Sequence, residues 1–249
     1  MLDAFFLHHR DTTNIGDLAC SPRDYFDFGV TEAAAFGAKI PDVPLTVLGG
    51  GQTWKACVRT VERRASRAHD IVLWGVGIAS TAAKSDAFRM MQERCALIGT
   101  RCAGLEHLGA RYVPCVSAMS EHFDTAPAPS HEVVMFAHAG YSDHIRRLPG
   151  VPEISNVDVS LKEAIHHIAS GETVVTSSYH GTYWALLLGR RVICVPFSQK
   201  FHFFPDPPTM ADPDNWPDFI GKANIAEGAL DKARALNRAF YEDVINLQG

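Results

Sequence analysis

Residues 173–195 contain the pattern that most restricts the fold of this chain, two short β-branched runs with a helix-length segment between them. Thr173–Thr176 and Val192–Val195 have the composition of buried strands. Thr182–Leu188 predicts a helix, and Gly189 after it is a typical helix-ending residue. A strand, a helix and a strand in this order are typical of a parallel α/β sheet.

Strand and helix signals alternate along most of the remaining chain, which predicts an α/β protein with one or two mostly parallel sheets. Further predicted strands are Ala4–Leu7, Leu45–Leu48, Ile71–Trp74, Ala96–Ile98, Arg111–Val113, Val133–Ala137 and Ile154–Val157. Further predicted helices are Trp54–Ala68, Ser85–Arg94, Ala103–Leu108 and Ser160–Ala169, and Pro22–Phe28 is predicted to begin or line a helix. Ser160 and Glu163 have the spacing of a capping box.

Three other segments bear on the domain organisation. Residues 125–131 contain two prolines and no periodicity, so they are the best linker candidate. We therefore predict one domain at residues 1–127 and a second at 128–249, which includes a terminal amphipathic helix with its apolar stripe from Leu230 to Leu247. Residues 198–217 are rich in proline and aromatic side chains and are predicted to form a functional loop or lid.

The composition restricts the classes of partner. The 249 residues carry a net charge of −5 and no basic run, so nucleic acid is not an expected partner. The six cysteines form no CxxC pair and acidic residues do not cluster at predicted strand ends, so we expect reduced thiols and no metal. The amino end does not resemble a signal peptide, and no run approaches the roughly 20 apolar residues of a membrane span. A cytoplasmic protein is expected, with any membrane contact peripheral, at the inner face.

The polar residues after the strand Thr173–Thr176 form the first candidate site. Ser177, Ser178 and His180 lie where the carboxyl end of a strand meets the amino end of a helix, which is where open α/β sheets bind ligands. Backbone N–H groups at a helix start favour an anion such as phosphate, and Gly181 permits close backbone approach. His180 is the candidate catalytic or phosphate-binding residue. The alternative is a turn histidine that only caps the helix or fills a pocket.

The turn after the first predicted strand contains Asn14, Gly16 and Asp17. Asparagine and glycine permit a tight turn, and Asp17 is either a helix cap or a catalytic base. Glycine-containing turns also follow the next two predicted strands, at Gly49, Gly50, Gly51 and Gln52 and at Gly75 and Gly77. These turns allow a ligand to approach the backbone, but they have neither the Walker pattern nor a complete dinucleotide fingerprint.

Two charged or titratable residues follow other predicted strands. Arg101 follows a short strand and is a candidate for holding an anion, with an ordinary ion-paired arginine as the alternative. His138 ends the first strand of the second half and is a candidate ligand contact, with a plain loop histidine as the alternative.

Taken together, these motifs resemble the polysaccharide pyruvyltransferase family, the enzymes that attach pyruvate as a ketal in bacterial exopolysaccharide synthesis. The similar stretches are Asn14-Ile-Gly16-Asp17, Leu48-Gly-Gly-Gly51, Trp74-Gly-Val-Gly77-Ile, Gly99-Thr-Arg101 and Ser177-Ser-Tyr-His180-Gly181. The resemblance implies two Rossmann-like halves that face a cleft, similar to the GT-B glycosyltransferases. With the terminal helix, the expected fold is an α/β, GT-B-like one closed by that helix.

The resemblance also implies the chemistry. Phosphoenolpyruvate would be the donor substrate, without a separate cofactor, and the acceptor would be a sugar of an exopolysaccharide or a lipid-linked saccharide. The first domain would hold the acceptor and the second the donor. His180 would contact phosphate or donate a proton, with Ser177 and Ser178 beside it. Arg101 would add positive charge, and Asp17 would act as the acceptor-side base.

Two other functions remain open. One is a glycosyltransferase-like enzyme of the same architecture that uses a nucleotide sugar. The other is a non-catalytic family member in a polysaccharide pathway, because Tyr179 stands where many members carry arginine. Stabilisation by a nucleotide sugar would favour the first, and stabilisation by neither donor would favour the second.

Overall fold

The computed structural model of the chain describes residues 3–63, 70–78, 82 and 85–247. The chain divides into two compact units. The first unit contains the chain up to Thr12, Asp17–Met119 and the chain from Ala233 onward. The second unit contains Thr13–Gly16 and Ser120–Lys232. The units are therefore built from interleaved segments, and the border after Met119 precedes the predicted border at residue 127.

In the described part of the first unit, six strands form a sheet: β1 (Ala4–His8), β2 (Thr31–Ala35), β3 (Leu45–Leu48), β4 (Asp70–Val76), β5 (Leu97–Thr100) and β6 (Arg111–Tyr112). All pairings are parallel, and the strand order is β2-β1-β3-β4-β5-β6. Within the described residues, three α-helices lie between these strands in sequence, namely α1 (Ile15–Leu18), α2 (Trp54–Arg63) and α3 (Asp86–Arg94). Every residue of β1 and β3 is buried, as expected of strands covered on both faces.

The last helix, α6 (Ala229–Asn246), packs on the first unit from its second turn onward. Phe240 lies in the same hydrophobic core as Trp74. The indole Nε1 of Trp74 donates to Asn237 Oδ1 at 2.9 Å, and Asn237 Nδ2 donates to the carbonyl of Pro114 at 3.3 Å. The predicted amphipathic helix is present, but its assignment to the second domain is corrected. Periodicity reveals an apolar face without revealing which sheet covers it.

Five strands form the sheet of the second unit: β7 (His131–Ala137), β8 (Glu153–Ser155), β9 (Gly171–Thr176), β10 (Arg191–Cys194) and β11 (Thr209–Met210). All pairings are parallel, and the strand order is β11-β10-β9-β7-β8. The helices α4 (Leu161–Ala169) and α5 (Tyr179–Leu187) precede and follow β9. The capping box predicted for α4 is present, because the Ser160 and Glu163 side chains each bond the other's backbone N–H.

Two predicted helices are each reduced to a short 3₁₀ turn. Ala103–Leu108 contains only the 3₁₀ turn Glu106–Leu108, which ends at Gly109 with a φ of 78°. Pro22–Phe28 contains only the 3₁₀ turn Pro22–Asp24. Such short segments gain few backbone hydrogen bonds for the residues they fix, so tertiary packing decides their conformation.

Other boundaries differ from the prediction. Residues 198–217, predicted to form a functional loop or lid, contain β11, which joins the sheet beside β10, and the fully buried side chains of Phe201 and Trp216. β2 was not predicted, since it is a half-buried edge strand with three alanines. The helix predicted at Trp54–Ala68 is present to Arg63, and residues 64–68 lie outside the described residues. Among the described helices, none is both long and apolar enough to cross a membrane.

Candidate functional sites at the carboxyl edges of the two sheets

His180 lies in the first turn of α5, directly after β9 in the second unit. Ser178 is the N-cap residue of this helix, and its Oγ accepts from the Gly181 N–H at 3.3 Å. The Ser178 carbonyl accepts from the backbone N–H of Thr182 at 2.9 Å. His180 is only 5% exposed, and its ring lies 5.5 Å from the Trp184 ring, centroid to centroid. The imidazole is therefore held firmly at a helix amino end, where an anion is favoured.

Gly16 lies directly against this imidazole. A Cβ atom at position 16 would lie 2.0 Å from His180 Nδ1 and 2.5 Å from Cγ, so no other residue fits without moving the ring. The Gly16 N–H donates to Asn14 Oδ1 at 3.1 Å, and the N–H of Ile15 donates to the carbonyl of Asn156 at 2.9 Å. Asn14 also forms an antiparallel bridge with Val157, after β8. Two distant sequence motifs thus meet within the second unit.

The ends of three neighbouring strands are joined at the same edge. The backbone N–H of His138, after β7, donates to Ser177 Oγ, after β9, at 3.1 Å. The N–H of Ala139 donates to Asn156 Oδ1, after β8, at 2.8 Å. His138 Nδ1 accepts from the Gly140 N–H at 3.1 Å, so the neutral imidazole carries its hydrogen on Nε2. The structure brings His138, Ser177, Ser178 and His180 to one sheet edge.

Gly181 has a packing role of its own. A Cβ at this position would lie 2.4 Å from Thr176 Oγ1 and 2.5 Å from Phe136 Cδ1. The first turn of α5 approaches β7 and β9 this closely only because residue 181 has no side chain. The glycine is required by the contact between helix and sheet whether or not a ligand is bound.

A second group of predicted residues meets in the first unit. A Cβ at Gly77 would lie 2.6 Å from Gln52 Oε1 and 3.1 Å from Arg101 Nε, so the three residues are in close contact. Gln52 Nε2 donates to the Gly77 carbonyl at 3.3 Å. A Cβ at Gly51 would lie 3.2 Å from Asp17 Oδ1. The Gly77 N–H donates to the Gly51 carbonyl at 2.8 Å. This hydrogen bond joins the contact of Gly51 with Asp17 to the contacts of Gly77 with Gln52 and Arg101.

Arg101 is the most deeply placed charge of this group. It follows β5 and is only 4% exposed. Buried arginine is rare in proteins unless it is paired or serves a ligand. Because its guanidinium carries five N–H donors in a planar fork, this residue suits the oxygens of a carboxylate or phosphate.

The remaining predicted glycines contact protein atoms. A Cβ at Gly49 would lie 3.1 Å from His8 Cβ, and one at Gly50 would lie 3.1 Å from Cys20 Cβ. Gly75, with a φ of 60°, lies against the backbone of residues 113–115. These glycines allow backbone segments to approach one another at the carboxyl edge of the first sheet. The prediction that they approach a ligand stays a prediction.

No family model matches the chain, and no curated protein matches it. Among solved structures, the chain is similar to a UDP-GlcNAc 2-epimerase from Methanocaldococcus jannaschii, determined in complex with UDP-GlcNAc and UDP. The TM-score is 0.54 at 8% identity, over 97% of this chain and 100% of that chain. At this identity the likeness is one of fold. The α/β class with two parallel sheets is confirmed, and the likeness indicates a GT-B-like, Rossmann-type arrangement of the chain.

Sequence reasoning missed a pair of thiols at the edge of the first sheet. The Sγ atoms of Cys20 and Cys115 lie 3.5 Å apart, and Ser117 Oγ donates to Cys115 Sγ at 3.2 Å. The hydrogen bond to Cys115, followed by burial, raises the pKa of the Cys20 thiol well above its usual range, and the charge of Arg101 acts in the opposite direction. The two cysteines are far apart in sequence, so no spacing motif could have identified the pair.

Sequence reasoning also missed the buried imidazole of His8, at the end of β1. His8 is 7% exposed, and its Nδ1 is buried without a hydrogen-bond partner. Burial, followed by the positive charges of Arg10, His9 and Arg23, lowers the pKa of His8 to about 4. The histidine is therefore neutral at physiological pH. In the sequence His8 is adjacent to His9, and no local pattern indicates which of the two side chains is buried.

Aromatic residues around His138 were missed as well. Tyr141 and Phe197 flank the His138 ring at centroid distances of 5.1 and 5.3 Å. The available signal was their position, since Tyr141 shortly follows β7 and Phe197 shortly follows β10. Ligand contacts in parallel sheets come from such positions.

Proposed function

We propose that this protein transfers pyruvate from phosphoenolpyruvate to a saccharide as a ketal. The observation that carries the proposal is the contact between Gly16 and the His180 imidazole, with no room for a Cβ between them. Two of the motifs on which the resemblance to polysaccharide pyruvyltransferases rests thereby constrain each other. A buried histidine fixed at a helix start, with a glycine backbone against it, suits a group that must hold phosphate or deliver a proton.

The reaction needs few catalytic groups. A sugar hydroxyl adds to C2 of phosphoenolpyruvate while a proton adds to C3, which turns the methylene into a methyl group. Phosphate then leaves with the electrons of the C2–O bond. A second hydroxyl of the same sugar bonds to C2 and loses its proton, so the products are a cyclic ketal and phosphate. The enzyme must therefore bind phosphate and carboxylate, donate one proton and accept protons from the hydroxyls.

The residues can be assigned to these tasks one by one. His180 donates the proton or contacts the phosphate, beside the amino end of α5. As the resemblance implies, Arg101 is assigned the supply of positive charge and Asp17 the role of the acceptor-side base.

The test is thermal unfolding of the whole chain with phosphoenolpyruvate, phosphate and UDP-GlcNAc, each compared with the same variant alone. At 100 times its dissociation constant a ligand stabilises the native state by about 2.7 kcal/mol. We expect phosphoenolpyruvate to stabilise the wild type, and His180→Ala and His180→Gln to lose that effect. Gly16→Ala should lose it too, because its methyl group displaces the imidazole. His131→Ala is the matched control, since His131 is exposed at the start of β7, away from the carboxyl edge.

The outcomes separate the proposals. Unchanged stabilisation of both His180 variants by phosphoenolpyruvate would remove His180 from the donor site. Stabilisation of the wild type by neither donor would indicate a protein without this activity.

A second candidate is an enzyme that acts on a nucleotide sugar. The fold likeness to a UDP-GlcNAc 2-epimerase favours it. It predicts stabilisation by UDP-GlcNAc and UDP and none by phosphoenolpyruvate, so the same titration distinguishes the two.

A further inference from the structure

An aromatic cluster lies beside His138 at the carboxyl edge of the second sheet. We call it the aromatic platform, and it consists of His138, Tyr141, Phe197, Lys200 and Phe201. Its residues follow β7 and β10, the two strands that flank β9 in the sheet. His138 also contacts Ser177 at the end of β9. The platform therefore adjoins the His180 turn, at the sheet edge where α/β proteins bind ligands.

The rings of the platform are held in place from behind. Tyr141 and Phe197 are stacked, with centroids 3.9 Å apart and an interplanar angle of 10°. Phe201 is fully buried and meets Phe197 edge-on at 5.3 Å. The Tyr141 N–H donates to the His138 carbonyl at 2.9 Å, which fixes the turn that carries the ring. Binding of a ligand over Tyr141 therefore costs little conformational entropy of the protein, because the ring is already ordered.

Tyr141 is the exposed face of this stack. It is 49% exposed, whereas most large apolar side chains of the described residues are buried. An aromatic ring that is supported on one side and open on the other is suited to a second flat group. The two common flat partners are a nucleobase and the C–H face of a pyranose ring.

The charges beside the stack favour the pyranose. The Lys200 ammonium lies 4.3 Å from the centroid of Phe197 and 5.2 Å from that of Phe201. The neutral His138 imidazole is a donor at Nε2, because Nδ1 accepts from Gly140. Both groups are hydrogen-bond donors, which match carboxylate and hydroxyl oxygens. The pairing edge of a nucleobase carries donors as well, and these would need acceptors.

We propose that the aromatic platform binds a pyranose ring of an acidic saccharide, with its C–H face on Tyr141 and its carboxylate toward Lys200. The inference rests on the proposed function in one respect, since it names this saccharide class as the acceptor. It differs from what the resemblance implies, an acceptor held by the first domain, because the residues of the platform belong to the second unit. The binding itself is independent of the transfer reaction and is measured without phosphoenolpyruvate.

The experiment is calorimetric titration of the whole chain with a glucuronyl-glucose disaccharide, with cellobiose as its neutral counterpart and with UMP. We expect the wild type to bind the acidic disaccharide at least fivefold more tightly than cellobiose. Tyr141→Ala should weaken the binding of both at least tenfold, and Tyr141→Phe should keep it within about twofold. Lys200→Gln should remove the preference for the acidic sugar and keep the affinity for cellobiose. Tyr141→Phe and an unchanged thermal unfolding midpoint control for folding.

The proposal is overturned if the wild type binds neither disaccharide, or if Tyr141→Ala binds them as the wild type does. A preference that survives Lys200→Gln overturns the acidic class. UMP binding that depends on Tyr141, without saccharide binding, makes the platform a nucleobase site. A protein that binds the acidic disaccharide but releases no phosphate from phosphoenolpyruvate in its presence contradicts the proposed function and leaves the platform in place.

Discussion

At the scale of single residues, close contact decides the role of two glycines of the second unit, Gly16 and Gly181. A Cβ atom at position 16 would overlap the His180 imidazole. A Cβ atom at position 181 would overlap Thr176 and Phe136. A methyl group inserted into such contacts forces shifts that typically cost 1–3 kcal/mol. Glycine at these positions is therefore a requirement of packing, and at position 16 it also sets the place of the candidate catalytic ring.

His8 makes a prediction about pH at this scale. Its folded-state pKa of about 4 lies below the unfolded value of 6.5, so the folded chain favours the neutral imidazole. Its contribution to stability is complete above pH 6.5 and is lost as the pH falls through 4. Urea unfolding from pH 7 to pH 4 should show the wild type losing on the order of 2 kcal/mol more than His8→Asn. Parallel curves for the two proteins would show that His8 does not titrate in this window.

At the scale of elements, α4 and α5 of the second unit begin with side-chain caps. Ser160 caps α4 and Ser178 caps α5. By contrast, Ser198 precedes a 3₁₀ turn without a side-chain cap bond. Because a cap satisfies backbone donors that no helix residue can reach, it is a local feature that sequence reveals.

This contrast gives a matched test. Ser160→Ala removes the capping box and should lower the free energy of unfolding by about 1 kcal/mol. Ser198→Ala is the control and should change it by less than about half of that. Both values come from urea unfolding at neutral pH. Equal effects of the two substitutions would mean that the box seen at Ser160 contributes nothing.

Elements were predictable where the local pattern was strong. β3 has the predicted bounds, and β1 and α4 differ by one residue. The prediction missed β2, because an edge strand with three alanines lacks a hydrophobic signal. The helix predicted at Ala103–Leu108 is wrong, because a short helical pattern needs tertiary packing to stabilise it.

At the scale of the whole molecule, the chain crosses from one unit to the other more than once. Asn14 and Gly16 belong to the second unit although the strand before them belongs to the first. α6 returns to the first unit after the second is complete. Domain borders read from a proline-rich segment assume that each domain is a continuous stretch, and this chain does not meet that assumption.

The return of α6 can be tested with Phe240→Ala. Phe240 is fully buried and meets Trp74 edge-on at 4.9 Å, so its loss should destabilise the first unit by about 3–5 kcal/mol. Hydrogen exchange should rise in peptides of β1, β3 and β4, while peptides of β7 and β9 keep their protection. Trp216→Ala is the matched control, since Trp216 is fully buried in the core of the second unit and should give the opposite pattern. Increased exchange confined to β7 and β9 in Phe240→Ala would contradict the docking described above.

The sequence by itself determined the α/β class, most strands and helices, and the position of polar residues after strand ends. These features follow from hydrophobic periodicity and turn chemistry, which act over a few neighbouring residues. Only the tertiary structure decided that Gly16 lies on His180, that Arg101 meets Gln52 and Gly77, and that α6 covers the first sheet. These contacts join distant parts of the chain, and side-chain packing selects them among many surfaces of similar hydrophobicity. No local pattern carries that information.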